Sequence, residues 1–247
     1  MSLVGRLAYV TGAASGIGRA TCQCLAREGA TIVAVDKSAP SLLQTIESLP
    51  SVAQPHMQIP LSVENKQSIE SSLDKVLRAY SAPPTIVVNA AGITRDNFIG
   101  KLSEEDFMEV LDVNLKGTFL VIKTFANALV SHKVNEASII NIGSVVARFG
   151  NIGQANYCAS KAGVDLLAKV ASKEYGKFGI RVNNIVPGFI ATPMTAAVPE
   201  KVRDKFVPLI PLGRFGQPEE VAEVIAFLAS RKSSYINGAS IEVTGGF

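Results

Sequence analysis

The chain has 247 residues, 47% of them hydrophobic and 18% charged, with 24 basic and 21 acidic side chains and a net charge of +3. This hydrophobic fraction excludes intrinsic disorder and is enough for a sizeable core. The small positive charge gives no indication of nucleic-acid binding. No apolar run reaches the length of a transmembrane helix.

Cysteine and histidine are scarce. The three cysteines, Cys22, Cys24 and Cys158, form no disulfide framework and indicate reduced thiols. With two histidines, the chain gives little basis for a histidine-based metal site. It also lacks the GxSxG sequence that is typical of a hydrolase triad. Because the chain enters its first strand almost at once, we expect no secretory signal.

Apolar runs of strand length alternate with segments of helical periodicity along the chain. They predict strands at 6–12, 31–36, 57–63, 85–92, 137–144, 180–188 and 239–246, and helices at 19–29, 66–80, 103–129, 156–176 and 217–230. The fourth strand is almost entirely apolar, as expected where helices cover both faces of a sheet. The alternation predicts an α/β fold: a Rossmann-type doubly wound parallel sheet with helices on both faces, in a single domain over 1–247.

A glycine-rich turn follows the first strand and opens the first helix, with Gly12, Gly16 and Gly18 in GxxxGxG spacing. Glycines let the backbone approach a pyrophosphate, whose charge the free N–H groups at the helix start would hold. Asp36, at the end of the second strand, would accept hydrogen bonds from the adenosine ribose and repel a 2′-phosphate. The pattern predicts a dinucleotide site that favours NAD over NADP, although the neighbouring Lys37 weakens this preference.

Tyr157 and Lys161 lie four residues apart in a predicted helix and so share one face. A tyrosine with its usual pKa near 10 is a poor acid–base group at neutral pH. We expect the ammonium of Lys161 to stabilise the phenolate and lower the pKa of Tyr157, so that it exchanges protons with a carbonyl or alcohol. Ser144 would hydrogen-bond the same substrate oxygen.

Several motifs occur in a fixed order: TGAASGIG at 11–18, NAAG at 89–92, Asn114 within VNLKG, Ser144, the Tyr157/Lys161 pair, and PGFIATPM at 187–194. Together they resemble the short-chain dehydrogenase/reductase family over essentially the whole chain. The resemblance implies an NAD(P)-dependent enzyme acting on CH–OH groups. It implies the catalytic residues Asn114, Ser144, Tyr157 and Lys161.

The same resemblance implies further roles. Asn114 would hold a water that relays protons to Lys161, Asn89 would brace the sheet beside the cofactor, and Ser144 and Tyr157 would contact substrate. The cofactor-binding residues implied are Gly12, Ser15, Gly16, Ile17, Gly18, Asp36, Lys37, Ser62, Val63, Asn89, Ala90, Ala91, Gly92, Tyr157, Lys161, Pro187, Gly188, Ile190 and Thr192.

One position departs from the family pattern. The third strand of relatives usually ends in an aspartate that binds the adenine amino group, followed by a small hydrophobic residue. Here the stretch is PLSVE, so Ser62 replaces that aspartate and Val63 covers the adenine. We expect weaker adenine binding, because a hydroxyl is a poorer acceptor than a carboxylate.

Finer resemblance concerns the substrate. AGITRDN, GSVVARFGNIGQANY and PGFIATPMT are similar to 3-oxoacyl-thioester reductases, while Asp36 and PGFIATPMTAAVPEKV are similar to animal 17β-hydroxysteroid dehydrogenases. These imply oxidation of (3R)-hydroxyacyl-CoA and of 17β-hydroxysteroids with NAD. They also imply a mitochondrial matrix location, with the cytoplasm as the alternative, and a tetramer, either homomeric or with a second, NADP-dependent short-chain subunit.

A segment after the sixth strand, around 189–214, is expected to form a substrate lid. It mixes apolar residues with cations: Met194, Val198, Phe206 and Leu209 with Lys201, Arg203, Lys205 and Arg214. The apolar groups suit an acyl chain or a steroid, and the cations suit the phosphates of CoA or a carrier protein. A solvated charged helix face explains the cations equally well. Lys173 is a further candidate for a carrier contact.

Three other functions stay open at this point. The first is an NADPH-dependent 3-oxoacyl-[acyl-carrier-protein] reductase, which Asp36 disfavours. The second is a non-catalytic NAD-bound scaffold subunit, which the complete set of catalytic residues disfavours. The third is an extended short-chain epimerase or dehydratase, which would need about 100 further residues for a substrate domain.

Overall fold

The computed structural model describes residues 2–196, 198 and 200–247. In this part of the chain, one parallel sheet has the strand order β3-β2-β1-β4-β5-β6-β7. The strands are β1 Leu7–Thr11, β2 Thr31–Asp36, β3 Met57–Pro60, β4 Ile86–Asn89, β5 Ala137–Ile142, β6 Ile180–Pro187 and β7 Ser240–Val243. The strand order reverses at β1, between β2 and β4. Crevices that bind ligands form at such a switch point, outside the carboxyl ends of the strands.

Helices connect the strands and cover both faces of the sheet. They are α1 Gly16–Arg27, α2 Ala39–Glu47, α3 Lys66–Tyr80, α4 Glu104–Leu111, α5 Thr118–Ser131, α6 Val146–Phe149, α7 Ala155–Tyr175, α8 Pro193–Ala196, α9 Glu200–Phe206 and α10 Pro218–Ala229. The predicted α/β class and parallel sheet are confirmed. None of the helices within the described ranges is both long and apolar enough to cross a bilayer.

The sheet separates two apolar layers, and β1 shows why. Ala8 and Val10 pack into the layer that includes α1 and α10, whereas Tyr9 packs into the opposite layer with Phe125 of α5. Successive strand residues point to opposite faces, so a strand covered on both sides is apolar throughout. Cys22 and Cys24 belong to the first layer and are buried there.

The structure differs from the sequence prediction between the strands. The polar stretch after β2 contains α2, whose buried residues are Leu42 and Thr45. The helix predicted over 103–129 is interrupted by a π-helical turn, Asp112–Gly117, between α4 and α5. A π turn widens the helix by one residue and is frequent at functional sites. It matters here because it carries Asn114.

Candidate active site

In the turn between β1 and α1, backbone segments pack directly against each other without intervening side chains. Gly12 has φ +68°, and a Cβ there would lie 2.6 Å from the carbonyl carbon of Ala90. A Cβ on Gly18 would lie 2.0 Å from the Gly12 carbonyl oxygen. Both positions therefore require glycine. The start of α1 lines the cleft with Ser15, Gly16 and Ile17, and its free N–H groups fit the anion-binding role predicted for a dinucleotide pyrophosphate.

Asp36 ends β2 at the wall of the same cleft. Its Oδ2 accepts a hydrogen bond from the Ala14 backbone N–H at 3.3 Å, and its Oδ1 accepts one from the Ser38 N–H at 3.0 Å. These two bonds fix the carboxylate beside the glycine turn. The half-buried carboxylate keeps acceptor positions for further donors, because an ionised carboxylate offers about four.

The end of β3 continues the wall beyond Asp36. Pro60 is the register partner of Asp36, and the Leu61 N–H donates to the Asp36 carbonyl at 3.0 Å. The Ser62 hydroxyl donates to Oε1 of Glu64 at 2.6 Å, and both side chains line the cleft. Glu64 did not figure among the predicted site residues. The Glu64 carboxylate makes this wall acidic, whereas only the hydroxyl of Ser62 was expected there from the sequence.

Tyr157 and Lys161 lie near the start of α7 and line the same cleft as Asp36 and Glu64, beside β5, which β1 and β4 separate from β2. Lys161 is 5% exposed, and its Nζ donates to the Ile142 carbonyl at 2.7 Å. The same Nζ lies 5.7 Å from the centroid of the Tyr157 ring. Ser144, just beyond β5, hydrogen-bonds Tyr157. The structure thus brings the predicted serine, phenol and amine together.

The prediction that Tyr157 has a lowered pKa is wrong. Burial raises the pKa of Tyr157 to about 12, and the hydrogen bond with Ser144 offsets only part of this rise. Burial also lowers the pKa of Lys161 from 10.5 to about 8. Both changes have one cause, because low-dielectric surroundings penalise the charged form of each group. The phenol is therefore protonated at neutral pH, which makes it a proton donor.

Asn114 is held firmly within the π turn. Its Oδ1 accepts from the Ile93 N–H at 2.9 Å, and its Nδ2 donates to the Ile93 carbonyl at 3.1 Å and to Ser160 Oγ at 3.0 Å. A Cβ on Gly92 would lie 3.3 Å from Asn114 Oδ1 and 3.4 Å from Lys161 Nζ. Asn114 Oδ1 and Lys161 Nζ therefore both lie close to Gly92.

Most of the residues predicted to bind cofactor line this one cleft. They are Gly12, Ser15, Gly16, Ile17, Gly18, Asp36, Lys37, Ser62, Val63, Ala90, Ala91, Gly92, Tyr157, Lys161 and Thr192. The other cleft residues, which were not predicted to bind cofactor, are Leu61, Glu64, Ile93, Glu109, Val113, Ile142, and Pro193 and Met194 of the predicted lid. Most of these residues are adjacent in the sequence to predicted site residues, and this adjacency was the only feature of the sequence that could have indicated them.

Four residues predicted to bind cofactor do not line the cleft. Asn89 is buried and donates from Nδ2 to Asn141 Oδ1 at 2.8 Å, a contact that agrees with the bracing role expected for it. Pro187 pairs with Val243 of β7, and the Gly188 N–H donates to the Val243 carbonyl at 3.0 Å. Ile190 is 4% exposed and belongs to the apolar core. Sheet pairing and core packing explain these positions.

The predicted lid contains α8 and α9; residues 197 and 199 lie outside the described residues. Of its cations, Arg214 forms a bidentate ion pair with Glu220 of α10, with both bonds at 2.8 Å. Lys201 and Lys205 are exposed, as is Lys173 of α7. Arg214 therefore links the lid to α10, whereas Lys201 and Lys205 of the lid face solvent.

An aromatic cluster joins the lid to the Tyr157 region. The Phe189 ring lies 4.3 Å from that of Phe206 in α9 and 5.0 Å from that of Phe247, between ring centroids. Phe247 also contacts Phe149, at 5.5 Å, and packs with Tyr157 against one small apolar cluster. The side of the site nearest the phenol is therefore apolar and aromatic.

Comparison with known proteins bears on the chemistry of this site. A family model described as enoyl-(acyl carrier protein) reductase matches residues 12–247. The (3R)-3-hydroxyacyl-CoA dehydrogenase of Mus musculus is 49% identical over 100% of this chain and 97% of its own length. The 3-oxoacyl-[acyl-carrier-protein] reductase FabG of Thermotoga maritima is 46% identical over 100% and 99% of the two chains.

A solved structure shares the whole fold. It is that of a putative 2-deoxy-D-gluconate 3-dehydrogenase from Agrobacterium tumefaciens with bound NADP, which matches with a TM-score of 0.90 and 35% identity over 99% of this chain and 97% of that one. Family model, relatives and fold agree with the motif order read from the sequence. The chain therefore belongs to the short-chain dehydrogenase/reductase family and is an oxidoreductase that acts on hydroxyl or keto groups with a nicotinamide cofactor.

Proposed function

We propose that the protein is an NAD-dependent oxidoreductase that interconverts (3R)-hydroxyacyl and 3-oxoacyl thioesters, with Asn114, Ser144, Tyr157 and Lys161 as catalytic residues. One observation carries the proposal: the half-buried phenol of Tyr157, the buried amine of Lys161 and a fixed carboxylate, Asp36, line a single cleft. The phenol and the amine supply proton transfer, and the carboxylate suits an adenosine ribose without a 2′-phosphate.

The chain's own residues supply the proton chemistry. A bound nicotinamide supplies or accepts the hydride. Tyr157 donates its proton to the carbonyl oxygen as the 3-oxo group is reduced, and takes it back when the alcohol is oxidised. The ammonium of Lys161, oriented by the Ile142 carbonyl, stabilises the phenolate that remains. Ser144 hydrogen-bonds the phenol and lies where it can share the substrate oxygen.

Asn114 serves this proton transfer through its backbone. Its side chain is fully engaged with Ile93 and Ser160. Its carbonyl lies in the π turn, where the helical hydrogen-bond pattern changes, and accepts the Thr118 hydroxyl at 2.7 Å. We place at this carbonyl the water that returns protons to Lys161.

The preference for NAD is supported by the charges around the ribose position. Asp36 is anionic and fixed. Arg19, the arginine nearest in sequence to the glycine turn, is occupied: it donates to the Ala14 carbonyl at 2.5 Å and to Thr45 Oγ1 at 3.1 Å. The alternative is an NADPH-dependent 3-oxoacyl-[acyl-carrier-protein] reductase. It is favoured by the name of the Thermotoga relative and by the NADP in the Agrobacterium structure.

The substrate class is supported by the aromatic cluster around Phe189 and by the name of the mouse relative. Aromatic rings beside the phenol suit an acyl chain, and they suit a flat 17β-hydroxysteroid as a second substrate. We propose that 189–214 is the lid over this substrate, within a single catalytic domain spanning 1–247. The exposed lysines of this lid, Lys201 and Lys205, are available to bind the phosphates of CoA or of a carrier protein.

We further propose a tetramer, homomeric or with a second short-chain subunit, in the mitochondrial matrix as the family resemblance implies. Large apolar side chains remain exposed on α7 and near the final strand: Leu166 at 61%, Val170 at 51% and Leu212 at 68%. Apolar surface of this kind is typical of a face that a partner covers. Analytical ultracentrifugation tests the assembly, and a monomer at micromolar concentration would contradict it.

The experiment that tests the function is a steady-state comparison with one purified preparation. NAD and NADP are each offered with a 3-hydroxyacyl-CoA and with estradiol, and NADH and NADPH with a 3-oxoacyl thioester. The proposal predicts the highest kcat/KM for NAD with the hydroxyacyl-CoA. A higher kcat/KM for NADPH with the oxoacyl thioester would favour the alternative. No turnover of either thioester would overturn the substrate assignment.

A further inference from the structure

The wall of the cleft at the end of β3 carries a carboxylate that the proposed chemistry does not use. Glu64 is half-buried and lies two residues after Ser62, whose hydroxyl donates to its Oε1 at 2.6 Å. This bond restrains the side chain but occupies only one of its acceptor positions, out of about four on an ionised carboxylate. The Glu64 side chain lines the cleft and can therefore accept further hydrogen bonds from a bound ligand.

The position of Glu64 relative to Asp36 indicates which part of a dinucleotide it faces. The backbones of β2 and β3 are joined there, with Pro60 paired to Asp36 and the Leu61 N–H donating to the Asp36 carbonyl. Because Asp36 suits the ribose, the base attached to that ribose extends along the neighbouring wall. That wall consists of Leu61, Ser62, Val63 and Glu64.

The chemistry of this wall fits adenine, the base of NAD. Leu61 and Val63 are apolar and fit the face of a planar ring. Val63 is also held in place, since a Cβ on Gly117 of the π turn would lie 2.7 Å from Val63 Cγ2. Glu64 adds an anionic acceptor at the edge. Adenine presents an amino donor at its exocyclic position, whereas hypoxanthine presents a carbonyl acceptor that a carboxylate repels.

We propose that Glu64, held by Ser62, is the residue that selects the base of the dinucleotide by accepting a hydrogen bond from the adenine amino group. The inference deepens the proposed function, because it requires that the cleft binds NAD. It replaces the expectation that adenine binding is weakened by Ser62, since the carboxylate is present two residues further along the chain.

Isothermal titration calorimetry with NAD and with nicotinamide hypoxanthine dinucleotide tests the proposal without any turnover. The wild type is expected to bind NAD about tenfold or more tightly than the hypoxanthine analogue, the range typical of a hydrogen bond to a charged group. Glu64→Gln should lose most of this preference, because an amide also offers a donor to the hypoxanthine carbonyl. Ser62→Ala should weaken it, because Glu64 is then less restrained.

A matched control uses a carboxylate remote from the cleft. Glu70 of α3 is exposed and forms an ion pair with Lys66 at 3.5 Å, so Glu70→Gln should keep the wild-type ratio of the two dissociation constants. Equal affinity of the wild type for both dinucleotides would overturn the inference, and so would an equal loss for both in Glu64→Gln. If the wild type binds neither, the proposed function fails and the inference fails with it.

Discussion

The buried ammonium of Lys161 should cost the protein stability in a way that depends on pH. Its pKa falls from 10.5 to about 8 on folding, because burial penalises the charge. At about 1.36 kcal/mol per pH unit, this shift corresponds to about 3 kcal/mol of destabilisation at neutral pH. Lys161 is 5% exposed, so screening by solvent reduces this figure little.

The sign follows from proton uptake. Between pH 8 and 10.5 the unfolded chain binds more protons at this lysine than the folded chain, so the free energy of unfolding rises with pH in that window. Lys161→Met removes the titration but also leaves the Ile142 carbonyl without its donor, a loss that does not vary with pH. The unfolding free energy of the wild type minus that of the variant should therefore increase by about 2.5 kcal/mol between pH 7 and pH 10.

Urea unfolding at several pH values, followed by circular dichroism, measures this difference. Lys173→Met is the matched control, since Lys173 is an exposed lysine in the same helix and its variant should show no comparable change. If the difference between wild type and Lys161→Met stays flat from about pH 7 to 10, Lys161 is not buried as a charge and the prediction fails.

Two further predictions concern cofactor binding. Gly18→Ala places a Cβ 2.0 Å from the Gly12 carbonyl oxygen, so the turn must shift and NAD affinity should fall at least about tenfold in calorimetry. Gly100→Ala, whose Cβ meets nothing within 4 Å, is its control, and equal affinities of the two variants would contradict the prediction. Asp36→Asn keeps the shape but removes the charge, and should lower the ratio of kcat/KM for NAD over NADP about tenfold or more. Asp112→Asn, which removes the surface partner of Lys116, should leave that ratio unchanged; an unaltered ratio in Asp36→Asn would show that its charge does not select the cofactor.

The sheet was predictable from the sequence because its central strands are buried on both faces and form recognisable apolar runs, although the edge strands β3 and β7 are partly exposed. The alternation of runs indicated the parallel arrangement, and the glycine spacing marked the turn at Gly12 and Gly18. Helix α2 was not predicted, because its proline and serines at the start resemble a loop and only Leu42 and Thr45 are buried. The π turn was not predicted because Asp112 and Lys116 form an i, i+4 ion pair like that of a regular helix.

The site was predictable as a set of residues but not as an electrostatic environment. Spacing places Tyr157 and Lys161 on one face, yet it does not reveal the burial that raises the pKa of one and lowers that of the other. The role of Glu64 was hidden for a similar reason. Its contact with Ser62 depends on the conformation of the chain after β3, which no periodic pattern encodes.

In the proposed function, the Tyr157 phenol passes the proton that accompanies hydride transfer. A comparison of wild type and Tyr157→Phe in NADH formation from a (3R)-hydroxyacyl-CoA, with NAD affinity measured in parallel, tests this role. We expect Tyr157→Phe to lose kcat/KM by about 100-fold or more, with NAD affinity nearly unchanged. A Tyr157→Phe variant that turns over at the wild-type rate would contradict it, whichever thioester proves to be the substrate.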